Sequence, residues 1–341
     1  MSDATWTPAD LLKMNYDAWK AWTVQSAVVL GIFTALDKLK DEATVDSLAK
    51  AIQSDRRATE KMVTALTALE LLKRDGDEIS LTDFSRRHLS EESRDYLGYI
   101  LVHMHQINPN WTRLARCVKS GGNARSLPEP SPEEIKDLEA SRHRHFILGM
   151  YSVAVLQART VTAALDLKGH KRLLDLGGGP GTYAAYFCAA NPGLKAVVFD
   201  RPPSEAVALE ILDRLGVRDR VSFQGGDFLS DPIPGDFDVV WMSQVIHGEN
   251  PENAALLVKR GVEALRPGGE ILIQEFVLDD DRRGPLGPAL FTLNMLVQTP
   301  GGAAYAYSEI VDMLKGAGIN KISEIKGALP PGNRILTGFK D

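Results

Sequence analysis

The segment from Leu173 to Asp200 constrains the fold of this chain more than any other part of it. It reads LLDLGGGPGTYAAYFCAANPGLKAVVFD, and it begins with an apolar run that ends in Asp175. A turn with glycines at positions 177, 178, 179 and 181 follows, and then come apolar residues at helical spacing and a second apolar run that ends in Asp200. This order predicts a strand, a tight turn, a helix and a second strand closed by a carboxylate.

The glycine turn and the acid after it predict a site for a nucleoside-like ligand. Glycines let a ligand approach the backbone at the N-terminus of a helix, and an acid about twenty residues later can accept both ribose hydroxyls. Asp175, two residues before the first glycine, would repel a pyrophosphate but suits a ligand with an ammonium or sulfonium cation. We therefore predict S-adenosylmethionine as the cofactor. Glycines that serve only helix-sheet packing are the alternative, and the pairing of Asp175 with Asp200 argues against it.

Charge and cysteine content exclude several other classes of protein. A formal net charge of -6 argues against nucleic acid or an anionic membrane as the main partner. The two cysteines, Cys117 and Cys188, are too few for a disulfide framework or a cysteine-based zinc site, and they fit a reducing compartment. The N-terminus lacks the basic start and the apolar run of a signal peptide, and nowhere do about eighteen apolar residues stand together. We expect a soluble, cytoplasmic protein.

Residues 1–120 predict a mostly helical domain. Residues from about Pro8 to Leu39 read as one helix that is apolar nearly all round, so we expect it to be buried in a dimer partner as well as in its own domain. A core helix of a monomer is the alternative. Residues 44–49 and 58–72 predict two further helices and residues 73–81 a hairpin, an order typical of a winged helix. The second helix carries only Lys61 as a basic residue in its middle, which favours packing and dimerisation over DNA binding.

Residues 121–167 predict a linker and a connecting helix, and residues 168–341 predict the catalytic α/β domain. The connecting helix carries Phe146 and Met150 along one side, where they are either core or pocket residues. After Asp200, strands and helices alternate as in a doubly wound sheet. Ligands of such a sheet bind beyond the carboxyl ends of its strands. By this rule the following residues share one edge: Gly177, Asp200, Asp227, Ser243 to His247, and Glu275.

These motifs resemble the class I S-adenosylmethionine-dependent methyltransferases, and among them the O-methyltransferases of the caffeate, acetylserotonin and bacterial polyketide type. The resemblance covers almost the whole chain. It rests on LDLGGGPG at residues 174–181, Asp200, GDF at 226–228, His247 after an apolar strand, LRPGGEILIQE at 265–275 and PGG at 300–302. It implies a Rossmann-like, doubly wound methyltransferase domain preceded by a mostly helical winged-helix dimerisation domain, and a homodimer that acts on a small-molecule acceptor.

For the cofactor, the resemblance implies a role for each matching residue. Gly177 and Gly179 would contact the methionine part, and Asp200 would hold the ribose hydroxyls. Asp227 would bond the adenine amino group, and Phe228 would pack on the adenine ring.

For the chemistry, the resemblance implies that His247 is the general base and that Glu275 orients it. A sulfonium methyl is already activated, so the enzyme mainly aligns the reacting atoms. A hydroxyl is a weak nucleophile until it is deprotonated, which a histidine near its natural pKa can do. Met295 matches a methionine that clamps the substrate. Simple burial of His247 is the alternative.

Several positions depart from the family pattern, and most of them concern the acceptor. The family usually has histidine-aspartate-tryptophan at the base, where this chain has His247-Gly248-Glu249. Ser243, which we include among the cofactor-binding residues, stands where the family has a long basic residue that helps hold the cofactor. Ala304 replaces a glutamate that flanks the histidine, and Thr299 replaces an asparagine that contacts the substrate.

Three other functions remain open at this point. The altered surroundings of His247 are consistent with transfer to sulfur, or to another nucleophile that needs little deprotonation. A regulator that senses the cofactor and binds DNA is a second alternative, against which the acidic charge argues. A metal-dependent enzyme would need clustered ligands, and the run Asp279-Asp280-Asp281 is more simply explained as a solvated turn, so we predict no metal.

Overall fold

The computed structural model describes residues 6–40, 43–123, 129, 131–326, 329 and 332–341. The chain divides into two compact units, Met1–Glu129 with Leu278–Val297, and Pro130–Val277 with Gln298–Asp341. The domain limits expected at residues 121 and 168 stay predictions.

Short helices and one hairpin make up the first 123 residues. Side chains cap the starts of several helices: Thr7, Thr44 and Thr82 each accept a hydrogen bond from a backbone N–H three residues later. The elements are α1 (Pro8–Val29), α2 (Ile32–Leu39), α3 (Val45–Ala51), α4 (Arg56–Ala68), β1 (Leu72–Asp75), β2 (Glu78–Leu81), α5 (Asp83–Leu89), α6 (Gly98–Trp111) and α7 (Leu114–Ser120).

The expected single helix from Pro8 to Leu39 is wrong, because the structure has two helices in this range. The chain interrupts it at Gly31, whose φ of 71° lies in the left-handed region that favours glycine. In the single chain the buried positions of α1 lie near its C-terminal end, and the expected burial in a dimer partner stays a prediction. Leu11 and Trp22, for example, are 59% and 48% exposed.

An apolar cluster at the start of the chain joins α2, α3, α4 and the β1–β2 hairpin. Lys61 on α4 is only 7% exposed, and its Nζ donates to Thr292 Oγ1 at 3.4 Å. A buried lysine is poorly placed to contact DNA phosphates, which supports a packing role for this helix. The order of helix, helix and hairpin is the one that the sequence predicts, and the winged-helix interpretation stays a prediction.

Strands and helices alternate through most of the remaining chain. The elements are α8 (Pro132–Ala164), β3 (Arg172–Leu176), α9 (Thr182–Ala190), β4 (Lys195–Asp200), α10 (Glu205–Arg214), β5 (Val221–Gly225), β6 (Phe237–Ser243), α11 (Pro251–Ala264), β7 (Leu265–Leu278), α12 (Leu286–Gln298), β8 (Tyr305–Ala306), α13 (Tyr307–Gly316), β9 (Ile322–Ile325) and β10 (Asn333–Phe339).

In the described part of the chain, the large sheet has the strand order β5-β4-β3-β6-β7-β10-β9, with β8 also beside β7. Strands β3 to β7 pair in parallel, and β10 is antiparallel to both of its neighbours. The order reverses at β3, which lies between β4 and β6. A ligand of a doubly wound sheet binds at this switch point. The predicted Rossmann-like fold is confirmed.

The central strands are buried on both faces of the sheet. Leu174 and Met242 belong to the apolar cluster on one face, whereas Leu173 and Trp241 belong to the cluster on the other. This explains why the sequence shows continuous apolar runs here and no alternation of apolar with polar residues.

Among the described residues, one stretch, Phe146–Ala164 within α8, is long and apolar enough to span a membrane. Only 17% of its most apolar window is buried within the chain. Length and composition alone are weak evidence, because apolar helices of soluble proteins satisfy the same criterion.

Candidate active site

The glycine turn after β3 requires glycine at its first position. Gly177 has a φ of 73°, and a Cβ there would lie 2.4 Å from Cγ2 of Val245, which is far inside van der Waals contact. The turn therefore packs directly against the segment that follows β6. Gly179 has a φ of 49°, and a Cβ added there would lie 3.9 Å from Asp200 Oδ2, which is an ordinary van der Waals contact.

Asp175 lies beneath this turn and is 1% exposed. Its Oδ2 accepts a hydrogen bond from the Ala184 N–H at 3.3 Å, while Oδ1 has no hydrogen-bond partner among the described residues. Burial raises the pKa of Asp175 to about 7, and the nearby charge of Asp200 adds to this effect. A cation bound at the turn would favour the charged form of both acids.

Asp200 ends β4 and reaches the same turn. Its Oδ2 accepts from the Gly179 N–H at 2.6 Å, and its Oδ1 accepts from the Arg201 N–H at 2.6 Å and from Ser204 Oγ at 3.4 Å. Burial raises the pKa of Asp200, and these hydrogen bonds act in the opposite direction. The orphaned oxygen of Asp175, the open turn and Asp200 together fit a ligand with a cation and a ribose, as S-adenosylmethionine has.

The residues predicted for adenine follow β5. Asp227 is exposed, and its Oδ1 accepts from the Leu229 N–H at 2.8 Å, which holds the turn in place. Phe228 is 6% exposed, and Cζ of Arg201 lies 5.4 Å from the centroid of its ring. The adenine roles of Asp227 and Phe228 stay predictions.

Ser243 belongs to a network of neutral polar groups that sequence reasoning missed. Its Oγ donates to Gln274 Oε1 at 3.3 Å, and the Nε2 of Gln274 donates to Gln157 Oε1 at 3.1 Å. Burial raises the pKa of the Tyr183 hydroxyl, and the neighbouring Gln274 and Ser243 side chains act in the opposite direction. A glutamine in the otherwise apolar run ILIQEF is the signal that could have revealed this network. Ser243 is thus part of a neutral network where the family has a basic side chain.

His247 and Glu275 form a tightly held pair. His247 Nδ1 lies 2.8 Å from Glu275 Oε2, and the two side chains are 15% and 2% exposed. Glu275 Oε1 also accepts from the backbone N–H of Ile246 at 3.0 Å and of His247 at 3.4 Å, and Oε2 accepts from Phe276 at 3.2 Å. The carboxylate is therefore fixed before it meets the imidazole. With Nδ1–H donated to Glu275, the lone pair of the ring lies on Nε2.

The PGG motif packs against the backbone of the histidine loop. A Cβ on Gly302 would lie 2.4 Å from the His247 carbonyl oxygen, and the same oxygen accepts from the Ala303 N–H at 2.9 Å. Thr299 Oγ1 accepts from the Gly302 N–H at 2.8 Å. Thr299 thus closes the turn of this motif, and Ala304, at the position of the family's second acid, is 2% exposed.

The residues predicted for the acceptor belong to different units. Phe146 and Met150 on α8 are 57% and 40% exposed, so the core alternative does not hold for them in the single chain. Met295 on α12 is 7% exposed and belongs to the unit that contains the first helices. The acceptor-binding roles of these three residues stay predictions.

Among the described residues, no group of three or more His, Cys, Asp or Glu side chains is arranged to hold a metal ion. In the acidic run after β7, Asp281 accepts hydrogen bonds from the N–H and Nε of Arg283. These bonds support the interpretation of this run as a turn.

Replacing Gly177 by Ala should weaken binding of S-adenosylhomocysteine at least about tenfold. An alanine there costs about 1–2 kcal/mol in the left-handed region, and its Cβ would push Val245 and the turn apart. Isothermal titration calorimetry measures the dissociation constant. Gly316→Ala is the control, because this helical glycine has open space around it and should leave binding unchanged. Unchanged binding by the Gly177 variant would contradict the proposed approach of the cofactor to the backbone.

Replacing Asp175 by Asn should stabilise the ligand-free protein increasingly as pH rises. Folding raises the pKa of Asp175 from 3.8 to about 7. The contribution of the neutral side chain to the stability of the folded protein is therefore fully present below pH 3.8, and it is lost as pH rises through about 7. The Tm of the variant minus that of the wild type should therefore grow between about pH 5 and pH 8. The variant should also bind S-adenosylmethionine more weakly at pH 8. A Tm difference that stays constant with pH would show that Asp175 does not titrate in this range.

Comparisons with protein-family models match both parts of the chain. Residues 111–320 match an O-methyltransferase domain, and residues 17–91 match an O-methyltransferase dimerisation domain. The 3-hydroxy-5-methyl-1-naphthoate 3-O-methyltransferase of Streptomyces sahachiroi is 31% identical over 334 residues, which cover 98% of this chain and 95% of the relative. Acetylserotonin O-methyltransferase of Macaca mulatta is 31% identical over 285 residues, which cover 81% of this chain and 82% of the relative.

Solved structures agree. An O-methyltransferase family 2 protein from Planctomyces limnophilus DSM 3776, in complex with apigenin, is 25% identical with a TM-score of 0.81 and covers 99% of this chain and 98% of its own. Human N-acetylserotonin methyltransferase in complex with SAM is 26% identical with a TM-score of 0.55, and the match covers 100% of this chain and 99% of the human chain. The chain therefore belongs to the class I S-adenosylmethionine-dependent O-methyltransferases and carries their dimerisation domain ahead of the catalytic domain.

Proposed function

We propose that this enzyme methylates a hydroxyl group on an aromatic ring, with His247 as the general base and Glu275 as its positioning residue. The observation that carries the proposal is the 2.8 Å contact between His247 Nδ1 and a carboxylate that three backbone N–H groups also hold. This arrangement selects the imidazole tautomer whose Nε2 accepts a proton.

The roles of the cofactor and of the protein follow from the chemistry of methyl transfer. S-adenosylmethionine supplies a methyl group that the sulfonium already activates, so the protein has to supply alignment and an ionised acceptor. His247 takes the hydroxyl proton at Nε2, and Glu275 stabilises the imidazolium that forms. Glu275 is buried and held in place, so it does not have to reorganise when the charge develops.

The aromatic class of the acceptor is supported by the relatives and by the apolar side chains of α8. The name of the Streptomyces sahachiroi relative gives a hydroxylated naphthoate, and the Planctomyces limnophilus structure contains apigenin. Phe146 and Met150 leave apolar surface exposed on α8, which suits a flat aromatic ligand.

Replacing His247 by Ala should lower kcat by about a hundredfold or more. A matched Glu275→Gln variant, which keeps the size of the side chain, should lower kcat less. Both variants should bind S-adenosylhomocysteine as the wild type does, measured by calorimetry. The defect of the alanine variant should shrink at high pH, where the acceptor hydroxyl ionises without a base. Unchanged turnover would instead favour an acceptor atom, such as sulfur, that needs little deprotonation.

We also propose that the protein is a homodimer. The match to a dimerisation domain supports this, as do the exposed apolar side chains on the first and sixth helices. They include Leu11, Met14 and Trp22 on α1 and Tyr99, Ile100 and Met104 on α6.

Light scattering at micromolar concentration should give the mass of two chains for the wild type. Leu11→Asp combined with Ile100→Asp should shift the mass toward that of one chain, because both changes put charge into the proposed interface. The control is Leu256→Asp, at an exposed leucine of α11, which should leave the dimer intact. A wild type with the mass of one chain would rule out the homodimer.

A further inference from the structure

The histidine loop, residues 244–250, joins β6 to α11 and carries His247. Glu275 holds its first half, because this carboxylate accepts from the backbone N–H groups of Ile246 and His247. In the second half, a Cβ added to Gly248 would meet open space among the described residues. A glycine that nothing packs against leaves the backbone more freedom than other residues do. The position of the second half therefore depends on contacts to the backbone on either side of Gly248.

Tyr305 supplies one of these contacts. It begins β8 and is 3% exposed, and its hydroxyl donates to the Glu249 carbonyl oxygen at 2.6 Å. Burial raises the pKa of this hydroxyl, and the nearby carboxylates of Glu309, Glu275 and Glu249 add to the effect. The phenol therefore stays protonated throughout the neutral pH range and remains a hydrogen-bond donor to the loop.

A second residue of the same segment holds the backbone before the glycine. The Ala303 N–H donates to the His247 carbonyl oxygen at 2.9 Å. Ala303 and Tyr305 thus bind the carbonyl groups of residues 247 and 249, which directly flank Gly248. The segment that follows the PGG motif is therefore attached to the histidine loop at two points.

The side chain of Glu249 fixes the loop less firmly than its carbonyl group does. Its Oε2 accepts from Asn253 Nδ2 at 3.2 Å, and its Oε1 lies 3.8 Å from Nη2 of Arg201, which is 61% exposed. Ion pairs with such exposed groups contribute little. The hydrogen bond from Tyr305 is shorter than both contacts and comes from a buried side chain.

We propose that Tyr305 is a positioning residue for the proposed base. Its hydroxyl holds the Glu249 carbonyl group and thereby keeps His247 in the orientation in which Nδ1 meets Glu275. A phenylalanine would fill the same space but could not donate to the loop. The proposal rests on the base role of His247. It also gives the histidine a second support in a chain where Ala304 replaces the family's second acid.

Nitrogen NMR of protein labelled with nitrogen-15 tests the proposal without an acceptor. At about pH 9, well above the ordinary pKa of histidine, the wild type should carry the His247 proton on Nδ1 alone. His247→Ala identifies the signal by removing it. Tyr305→Phe removes only the hydroxyl and should give at least about a tenth of the other tautomer, because the ring is then held less firmly against Glu275. The matched control is Tyr307→Phe, the same change at a half-buried tyrosine of α13, which should keep a single tautomer.

Turnover with the aromatic acceptor used for His247→Ala gives a second measurement. Tyr305→Phe should lower kcat about tenfold, because a displaced base is no longer aligned with the acceptor hydroxyl. The dissociation constant of S-adenosylhomocysteine should stay within about twofold of the wild type, since the loss concerns the chemical step. In the His247→Ala background the same change should have no further effect, because the hydroxyl acts through the base.

Three results would each overturn the role of Tyr305. The first is a Tyr305→Phe variant with a single His247 tautomer. The second is a kcat equal to that of Tyr307→Phe although His247→Ala lowers kcat. The third is an equal loss of kcat with and without His247, since the hydroxyl would then act on something other than the base. Failure of the base proposal is distinguishable, because His247→Ala would then retain its turnover while the tautomer of His247 still depended on Tyr305.

Discussion

The close packing of Gly177 on Val245 is the contact on which the site depends. It brings the turn after the first strand of the large sheet against the segment that leads to His247, with no room for a β-carbon between them. The turn is the predicted cofactor site, and His247 follows Val245 by two residues. In the proposed mechanism, this packing of the backbone, and not long side chains, sets the methyl donor relative to the base. The PGG motif acts in the same way from the other side of the loop, because Gly302 packs on the His247 carbonyl oxygen.

The buried acids beneath the turn, Asp175 and Asp200, illustrate how groups suited to binding a cation can lower the stability of the ligand-free protein. Asp175 is buried with one oxygen that lacks a partner among the described residues, and burial raises its pKa to about 7. Asp200 has a raised pKa for the same reason, although two backbone N–H groups compensate in part. Charged carboxylates in such places are costly in the empty protein and favourable once a cation is bound. The binding energy of the cofactor can therefore offset a cost that folding alone leaves in place.

Local patterns in the sequence were sufficient to predict the parallel strands of the sheet and the glycine turn. Apolar runs identified the parallel strands, because both faces of each strand are covered, and glycines with nearby acids identified the turn. Burial depends on assembly as well as on the fold: Leu11 and Trp22 on α1 are exposed in the single chain, and their expected burial in a dimer stays a prediction. The last parallel strand begins at Leu265 and includes the Pro267-Gly268-Gly269 segment. Its pairing with β6 shifts register over this segment, from Phe237 opposite Leu265 to Val239 opposite Glu270.

Contacts between distant segments could not be predicted in this way. Ser243, Gln274 and Gln157 come from three separate elements, and Arg201 meets Glu249 across 48 positions of the chain. Each of these residues looks ordinary in its local sequence, and only the fold brings them together. The resemblance to the family predicts the positions of the base and of the cofactor acids. Positions that depart from the family, such as Ser243, can be interpreted only from their neighbours in the structure.

The placement of the proposed catalytic residues within one unit has a consequence for how such an enzyme can change. The glycine turn, Asp200, His247 and Glu275 all belong to the unit that contains the large sheet. Substitutions elsewhere in the chain can accumulate without altering the contacts among these residues. A lineage built on this plan can therefore diversify while it retains the groups proposed to exchange the methyl group and the proton.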